Sequence, residues 1–268
     1  MSNLSIKEMI NAGVHFGHQS KYWNPKMRPF IYTTFKKLHI INLEKSVTHF
    51  NQAKIFIEKI IKSNSKILFV GTKRAARDIV SKYASEAKMP YVNIRWLGGM
   101  LTNFDTVKKS IQKLDNLNSK LNTALINGLT KKEMLVIKKQ IAKLEKNLSG
   151  IKNLETTPDA LFVIDTRYEK IAIQEANKLN IPVIAIVDSN NSFEGVDYMI
   201  PGNDDSMSSI ELFVKEITNI IVNTKSKFVK TASTKEERPK SDSSVTKTKS
   251  LKKKQVIDTK TIDDNKEG

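Results

Sequence analysis

The chain has 268 residues, 39% apolar and 27% charged, the make-up of a protein able to bury a core. Forty-five Lys and Arg stand against 28 Asp and Glu, and the resulting net charge of +17 predicts affinity for polyanions. There is no cysteine, which excludes disulfides, thiolate zinc sites and cysteine nucleophiles.

No run of about 18 apolar residues is present to span a membrane. The first ten residues have neither a signal-peptide core nor the Arg-rich pattern of a transit peptide, so a cytoplasmic location is expected.

Residues 1–45 read as an N-terminal aromatic and basic arm. Ile6 to Ala12 has helical spacing and stops at Gly13. Two glycines and two prolines then argue against regular structure through much of the stretch from Gly13 to Tyr32. Lys21, Lys26, Arg28, Lys36 and Lys37 are candidates for phosphate contact. Phe16, Trp23 and Phe30 either stack on RNA bases or pin the arm to the core. His15 and His18, three apart, suit a metal or a hydrogen-bonding role.

Ile40 to Leu43 reads as a short β segment. A helix then runs from about Glu44, with Val47, Phe50, Ile57 and Ile61 on one face. Ile67 to Val70 is the first strand of a βα series, turned at Gly71 into a helix whose start carries Lys73, Arg74 and Arg77. Cations there oppose the helix dipole by about 0.3–1 kcal/mol each, a cost that a nearby polyanion offsets. Tyr91 to Leu97 reads as strand two, with Arg95 on the face opposite Ile94 and Trp96.

Residues 102–150 interrupt the series. Ile111, Leu114, Leu117, Leu121 and Leu125 make one apolar stripe. Asn127-Gly128 is a turn, Thr130 to Glu133 is a capping box, and Met134, Ile137, Ile141, Leu144 and Leu148 repeat as an a/d seam. This predicts an inserted coiled-coil hairpin that projects from the sheet, with packing on the body as the alternative.

Strand three follows at Ala160 to Ile164, ending at Asp165. Thr166 to Glu169 reads as a capping box. Pro182 to Val187 is strand four, apolar throughout as in a parallel sheet covered on both faces. Tyr198 to Ile200 is strand five. Ser208 and Glu211 are expected to cap the last helix, whose core face carries Phe213, Ile217 and Ile220 or Ile221. The Lys-, Ser- and Thr-rich tail from 225 to 268 reads as disordered. It carries +6, so +11 remains on the rest of the chain.

The fold class is therefore α/β. The expectation is a flavodoxin-like five-stranded parallel sheet of order 2-1-3-4-5, made by residues 46–101 and 151–224, with the hairpin inserted. In such a sheet the ligand site lies at the switch point between strands one and three. Gly71 stands alone there, with neither a dinucleotide fingerprint nor a P-loop. Catalytic equipment is missing, and no enzyme activity, small-molecule substrate or required cofactor is expected. Asp204 and Asp205 form a carboxylate pair near Asp188, and with His15 or His18 they could hold a structural divalent cation. Helix capping by the pair is the alternative.

Five strings then acquire a joint meaning: Gly13-Val14-His15-Phe16-Gly17-His18, Trp23-Asn24-Pro25-Lys26-Met27, Leu68-Phe69-Val70-Gly71-Thr72-Lys73, the run from Arg95 to Asn103, and Ile200-Pro201-Gly202-Asn203-Asp204. Together with Pro158 to Phe162, they resemble the bacterial small-subunit ribosomal protein S2 family, in family order, over about residues 5–222. The resemblance implies the sheet and hairpin just described, a seat between head and body of the small subunit, and contacts with ribosomal RNA. It also implies recruitment of the large messenger-binding protein S one.

Thr33 to Lys37 departs from the Asn-Gly turn usual in that family, and Asn190 to Gly195 departs from its proline-bearing loop. The RNA-contact candidates are Lys21, Trp23, Lys26, Arg28, Lys36, Lys37, Lys73, Arg74, Arg77 and Arg95. The expected partners are ribosomal RNA and neighbouring small-subunit proteins, with no homo-oligomer and no membrane. A small-molecule α/β enzyme using the Gly71 turn is the contrasting possibility.

Overall fold

The computed structural model describes residues 4–124 and 130–236. The predicted turn at Asn127-Gly128, Leu125 and the tail beyond residue 236 lie outside the described residues. Eight strands and seven α-helices make up the regular structure of the described residues.

The central sheet has five parallel strands: β4 (Ile67–Val70), β5 (Tyr91–Val92), β6 (Ala160–Ile164), β7 (Val183–Val187) and β8 (Tyr198–Pro201), in the order β5-β4-β6-β7-β8. Every residue of β4, β6 and β7 is buried, the condition that lets an apolar run fold as a covered parallel strand. Alternation divides these residues between two core layers. Phe69, Phe162 and Ile184 face one way, against α2 (Leu43–Lys62), α3 (Arg77–Glu86) and α7 (Met207–Glu236). Leu68, Val70, Leu161, Val163 and Ala185 face the other way. There they meet α6 (Lys170–Lys178) and the near ends of α4 (Phe104–Ala124) and α5 (Lys131–Leu148).

Helices α4 and α5 are consecutive and packed on each other. Thr130 caps α5 reciprocally with Glu133, as its sequence predicts. Burial falls along the pair. Ile111, Leu114, Ile141 and Leu148 are buried, Leu117, Leu121, Met134 and Ile137 are half-buried, and Leu135 and Val136 are exposed.

Residues 4–45 are more regular than their sequence suggests. After α1 (Ile6–Asn11), β1 (Phe16–Gln19), β2 (Ile31–Phe35) and β3 (Leu38–Ile41) form a three-stranded antiparallel sheet of order β1-β3-β2. Two 3-10 turns cover Ser20–Tyr22 and Pro25–Phe30, and the second absorbs both prolines. These strands are short and mostly exposed, so they lack the apolar alternation that reveals a strand.

This layer docks on the C-terminal ends of the parallel strands. The His18 N–H donates to Ser189 Oγ at 2.7 Å, the Asn24 N–H to the Ser189 carbonyl at 2.8 Å, and Asn203 Nδ2 to the Gly13 carbonyl at 3.0 Å. A Cβ on Gly17 would stand 2.7 Å from Ser189 Oγ, so this approach requires glycine.

Four further expectations are corrected. Strand two pairs only at Tyr91 and Val92, because Trp96 turns into the core and the following loop leaves the sheet. The helix after Gly71 begins at Arg77 and not at Lys73, because Lys73–Ala76 forms a separate turn. Thr166 to Glu169 is not a capping box: Asp165 Oδ1 accepts from the Arg167 and Tyr168 N–H groups, while Glu169 reaches across to Thr72. Ser208 and Glu211 lie within α7; Asn203 Oδ1 accepts from the Asp205 and Ser206 N–H groups ahead of it, and Glu211 binds Tyr83. The helical backbone of α7 also continues to Glu236, through the first twelve residues of the predicted tail.

Candidate nucleic-acid interface and carboxylate cluster

The switch point of the sheet is filled by the chain itself. Gly71 serves packing there: a Cβ would approach Val80 Cγ2 to 2.8 Å, so glycine lets α3 lie close on β4. Lys73 turns inward from the following loop. Its Nζ stands 3.1 Å from Asp165, 2.7 Å from Asp204 and 2.5 Å from Asp205. Asn191 Nδ2 donates to Asp204 Oδ2 at 2.6 Å. Beside it, the Glu169 carboxylate accepts from the Thr72 N–H at 2.8 Å and hydroxyl at 2.6 Å, and burial raises its pKa.

His18 closes the cluster. Its Nδ1 is 3.1 Å from Asp188 and its Nε2 is 3.0 Å from Asp205. The bond to Asp188 holds the imidazole pKa up against the opposing effect of burial. Four carboxylates thus surround one lysine and one histidine. Burial, followed by the charges of Asp165 and Asp188, pushes the Asp204 pKa up despite the ion pair with Lys73. His18, Asp188 and Asp205 place ligand atoms within 4.8 Å of one another. Asp188 Oδ2 is buried, with His18 as its one close polar neighbour among the described residues. His15 is outside this set, its ring packed on Phe16 at 4.0 Å, and Asp204 is taken by Lys73 and Asn191.

The predicted cations divide by environment. Lys73 faces carboxylates. Lys26 pairs with Glu194, and Arg77 Nε donates to the Thr72 carbonyl at 2.9 Å. Lys21, Arg28, Lys36, Lys37, Arg74 and Arg95 are exposed. Three of these gather at one end of the antiparallel sheet, where the Ser20 N–H donates to the Lys37 carbonyl at 2.9 Å and sets Lys21 beside the β2–β3 turn. Lys21 lies 4.5 Å from the Tyr22 ring and Lys36 5.4 Å from that of Phe35, and both rings are exposed. Lys36 and Lys37 occupy the turn with φ of 45° and 67°, left-handed conformations that Asn and Gly adopt more readily. Trp23 is half-buried, its ring 5.0 Å from that of His39.

Sequence reasoning missed Glu175. Its carboxylate accepts from Trp96 Nε1 and from the N–H groups of Gly99, Leu101 and Thr102 at 2.7–3.2 Å, holding the whole loop from Trp96 to Thr102. Its burial, at 6% exposure, sets it apart in the structure, and no signal in a single sequence reveals it.

These features define an α/β protein whose switch point is filled by its own Lys73 and carboxylates, while six of the candidate cations, Lys21, Arg28, Lys36, Lys37, Arg74 and Arg95, are exposed. A family model described as Ribosomal protein S2 matches residues 9–224. The chain belongs to the ribosomal protein S2 family, structural proteins of the small ribosomal subunit that act in translation.

Proposed function

We propose that this chain, as a monomer in the cytoplasm, binds ribosomal RNA as a non-catalytic constituent of the small subunit. It is further proposed to contact neighbouring small-subunit proteins, including protein S one. In this reading the fold is flavodoxin-like, and α4–α5 is a projecting coiled-coil hairpin available for docking. The observation that carries the RNA reading is the exposed cluster of Lys21, Lys36 and Lys37 beside Tyr22 and Phe35. Arg28, Arg74 and Arg95 extend the cationic surface, and Lys26 and Arg77 contribute from their ion-paired and carbonyl-bonded positions. Lys73 serves the cluster at the switch point.

Phosphate contacts of this kind seat a protein without reading sequence. Co-sedimentation with the small subunit, and filter binding to its RNA across a salt series, test the reading. Affinity should fall with a log–log slope of about 0.7–0.9 per phosphate neutralised. An affinity indifferent to salt would overturn it.

A second reading concerns the carboxylate cluster. Its excess negative charge and the buried Asp188 Oδ2 favour a divalent cation held by His18, Asp188 and Asp205. Elemental analysis of the purified chain should find one metal per chain, lost in Asp188→Asn. A metal-free native chain that still folds and binds RNA would sink this reading.

A further inference from the structure

A cavity of about 680 Å³ opens between the end of β6, the start of α6, the β7–β8 loop and the Trp23–Pro25 segment. It is distinct from the carboxylate cluster and from the closed switch point. Its walls are tied together: Asn24 Nδ2 donates to the Asn191 carbonyl at 2.9 Å, and Thr166 Oγ1 to the Ser192 carbonyl at 2.6 Å.

Three kinds of chemistry meet in it. Trp23 supplies an aromatic wall, and its contact with His39 limits how the indole can turn. Gln174, Asn177 and Asn190 supply carboxamides. Arg167 and Lys170 supply exposed cations, neither within 4.0 Å of a carboxylate among the described residues. The one acidic lining residue, Glu194, is engaged by Lys26. Around the rim, the Gln174 and Asn177 carboxamides bring both donors and acceptors to one wall.

The occupant that meets all three demands has a flat ring, an edge with an amino or imino donor, and an anionic group. We infer that the cavity receives one unstacked nucleotide of a bound RNA strand, its base beside Trp23 with its polar edge toward the Gln174 and Asn177 carboxamides and its phosphate at Arg167 and Lys170. The volume lies within the range that encloses a small ligand, and capture of a splayed base is how proteins commonly read unpaired RNA. This inference rests on the RNA reading above, and a free nucleotide offers the same chemistry.

The test uses the full chain with small-subunit ribosomal RNA transcribed with 4-thiouridine or 6-thioguanosine, irradiated, and mapped by mass spectrometry. One RNA position should cross-link to the Trp23–Pro25 or Thr166–Asn177 peptide. The exposed double change Arg167→Glu and Lys170→Glu should abolish that cross-link and weaken RNA binding about tenfold, in line with two lost phosphate contacts. The same change should leave the circular-dichroism melt unaltered.

Native RNA affinity with no cross-link in the cavity overturns this inference and leaves the RNA reading standing. If the native chain fails to bind the RNA, the RNA reading falls and titration with AMP and UMP decides alone. Saturable quenching of tryptophan fluorescence, retained in Trp96→Phe and lost in R167E/K170E, supports the cavity as a free-nucleotide site. Absence of quenching overturns it.

Discussion

Lys73 Nζ stands 2.7 Å from Asp204 Oδ1, an ion pair at the point on the sheet where doubly wound proteins hold a ligand. The lysine takes the place a bound cation would have among Asp165, Asp204 and Asp205. Its removal should therefore be felt as instability of the fold.

Lys73→Met should cost about 3–5 kcal/mol, because it leaves buried carboxylates uncompensated. Adding Asp204→Asn to that variant should restore part of the loss, so the double change is less damaging than the sum of the two single ones. Urea denaturation of the four proteins checks this. Strict additivity would mean that the pair does not interact.

Glu175 makes the pH dependence of one loop predictable. Burial alone would raise its pKa, but the hydrogen bonds from Leu101, Gly99, Trp96 and Thr102 outweigh burial and hold it below the ordinary value. A carboxylate depressed in the folded state contributes stability that is fully present above the unfolded glutamate pKa, about 4.3. That stability is lost as pH falls through the lower folded value. Glu175→Gln should cost about 3 kcal/mol at pH 7, since a carboxamide presents one acceptor and two donors to a ring of donors. Melts of native and variant proteins at pH 7 and pH 3.5 should show the gap narrowing in acid.

Lys36 and Lys37 sit in left-handed conformations that cost about 1–2 kcal/mol per non-glycine residue. Lys36→Asn with Lys37→Gly should stabilise the chain by about 1 kcal/mol, because that pair suits the two-residue hairpin turn. The same double change should weaken RNA binding and lower its salt slope by about 0.7–0.9 for each lysine that contacts phosphate. Calorimetry and filter binding on one preparation read both effects, and a gain in stability with an unchanged salt slope would remove the turn from the RNA surface.

Glu169 offers a test in the opposite direction. Its pKa is raised, with burial as the leading cause, so folding favours its protonated form and stability declines as pH rises above the unfolded glutamate value. Glu169→Gln keeps an oxygen for the Thr72 N–H and hydroxyl while removing the charge. It should flatten that part of the stability profile between pH 4 and pH 7, measured by thermal melts.

What could be read from the residues follows from which forces act locally. The buried strands at 67–70, 160–164 and 183–187 are continuous apolar runs and sit where the sequence places them, as does the Thr130 cap, whose two hydrogen bonds span three residues. Of the small sheet at Phe16–Ile41 only part of one strand was legible, in the β segment read at Ile40–Leu43 where β3 runs Leu38–Ile41, because its strands hold together by pairing and its layer docks on Ser189 and Asn203, more than 160 residues away. Glu169 and Glu175 were hidden for the same reason, since their partners lie 97 and 73–79 residues distant. Of the carboxylate cluster, the types were legible and the pairing was not. Lys73 read as a surface cation until the fold turned it toward Asp165, Asp204 and Asp205.

The thinning apolar stripe of α4 and α5 has a dynamic consequence. Beyond Leu114 and Ile141 the stripe residues are half-buried where those nearer the sheet include fully buried ones, so the pair should open from its outer end inward. Amides around Met134 should exchange with deuterium sooner than those around Leu148. A partner that grips the outer turns would act as a staple, slowing exchange along both helices down to the sheet by favouring the closed form.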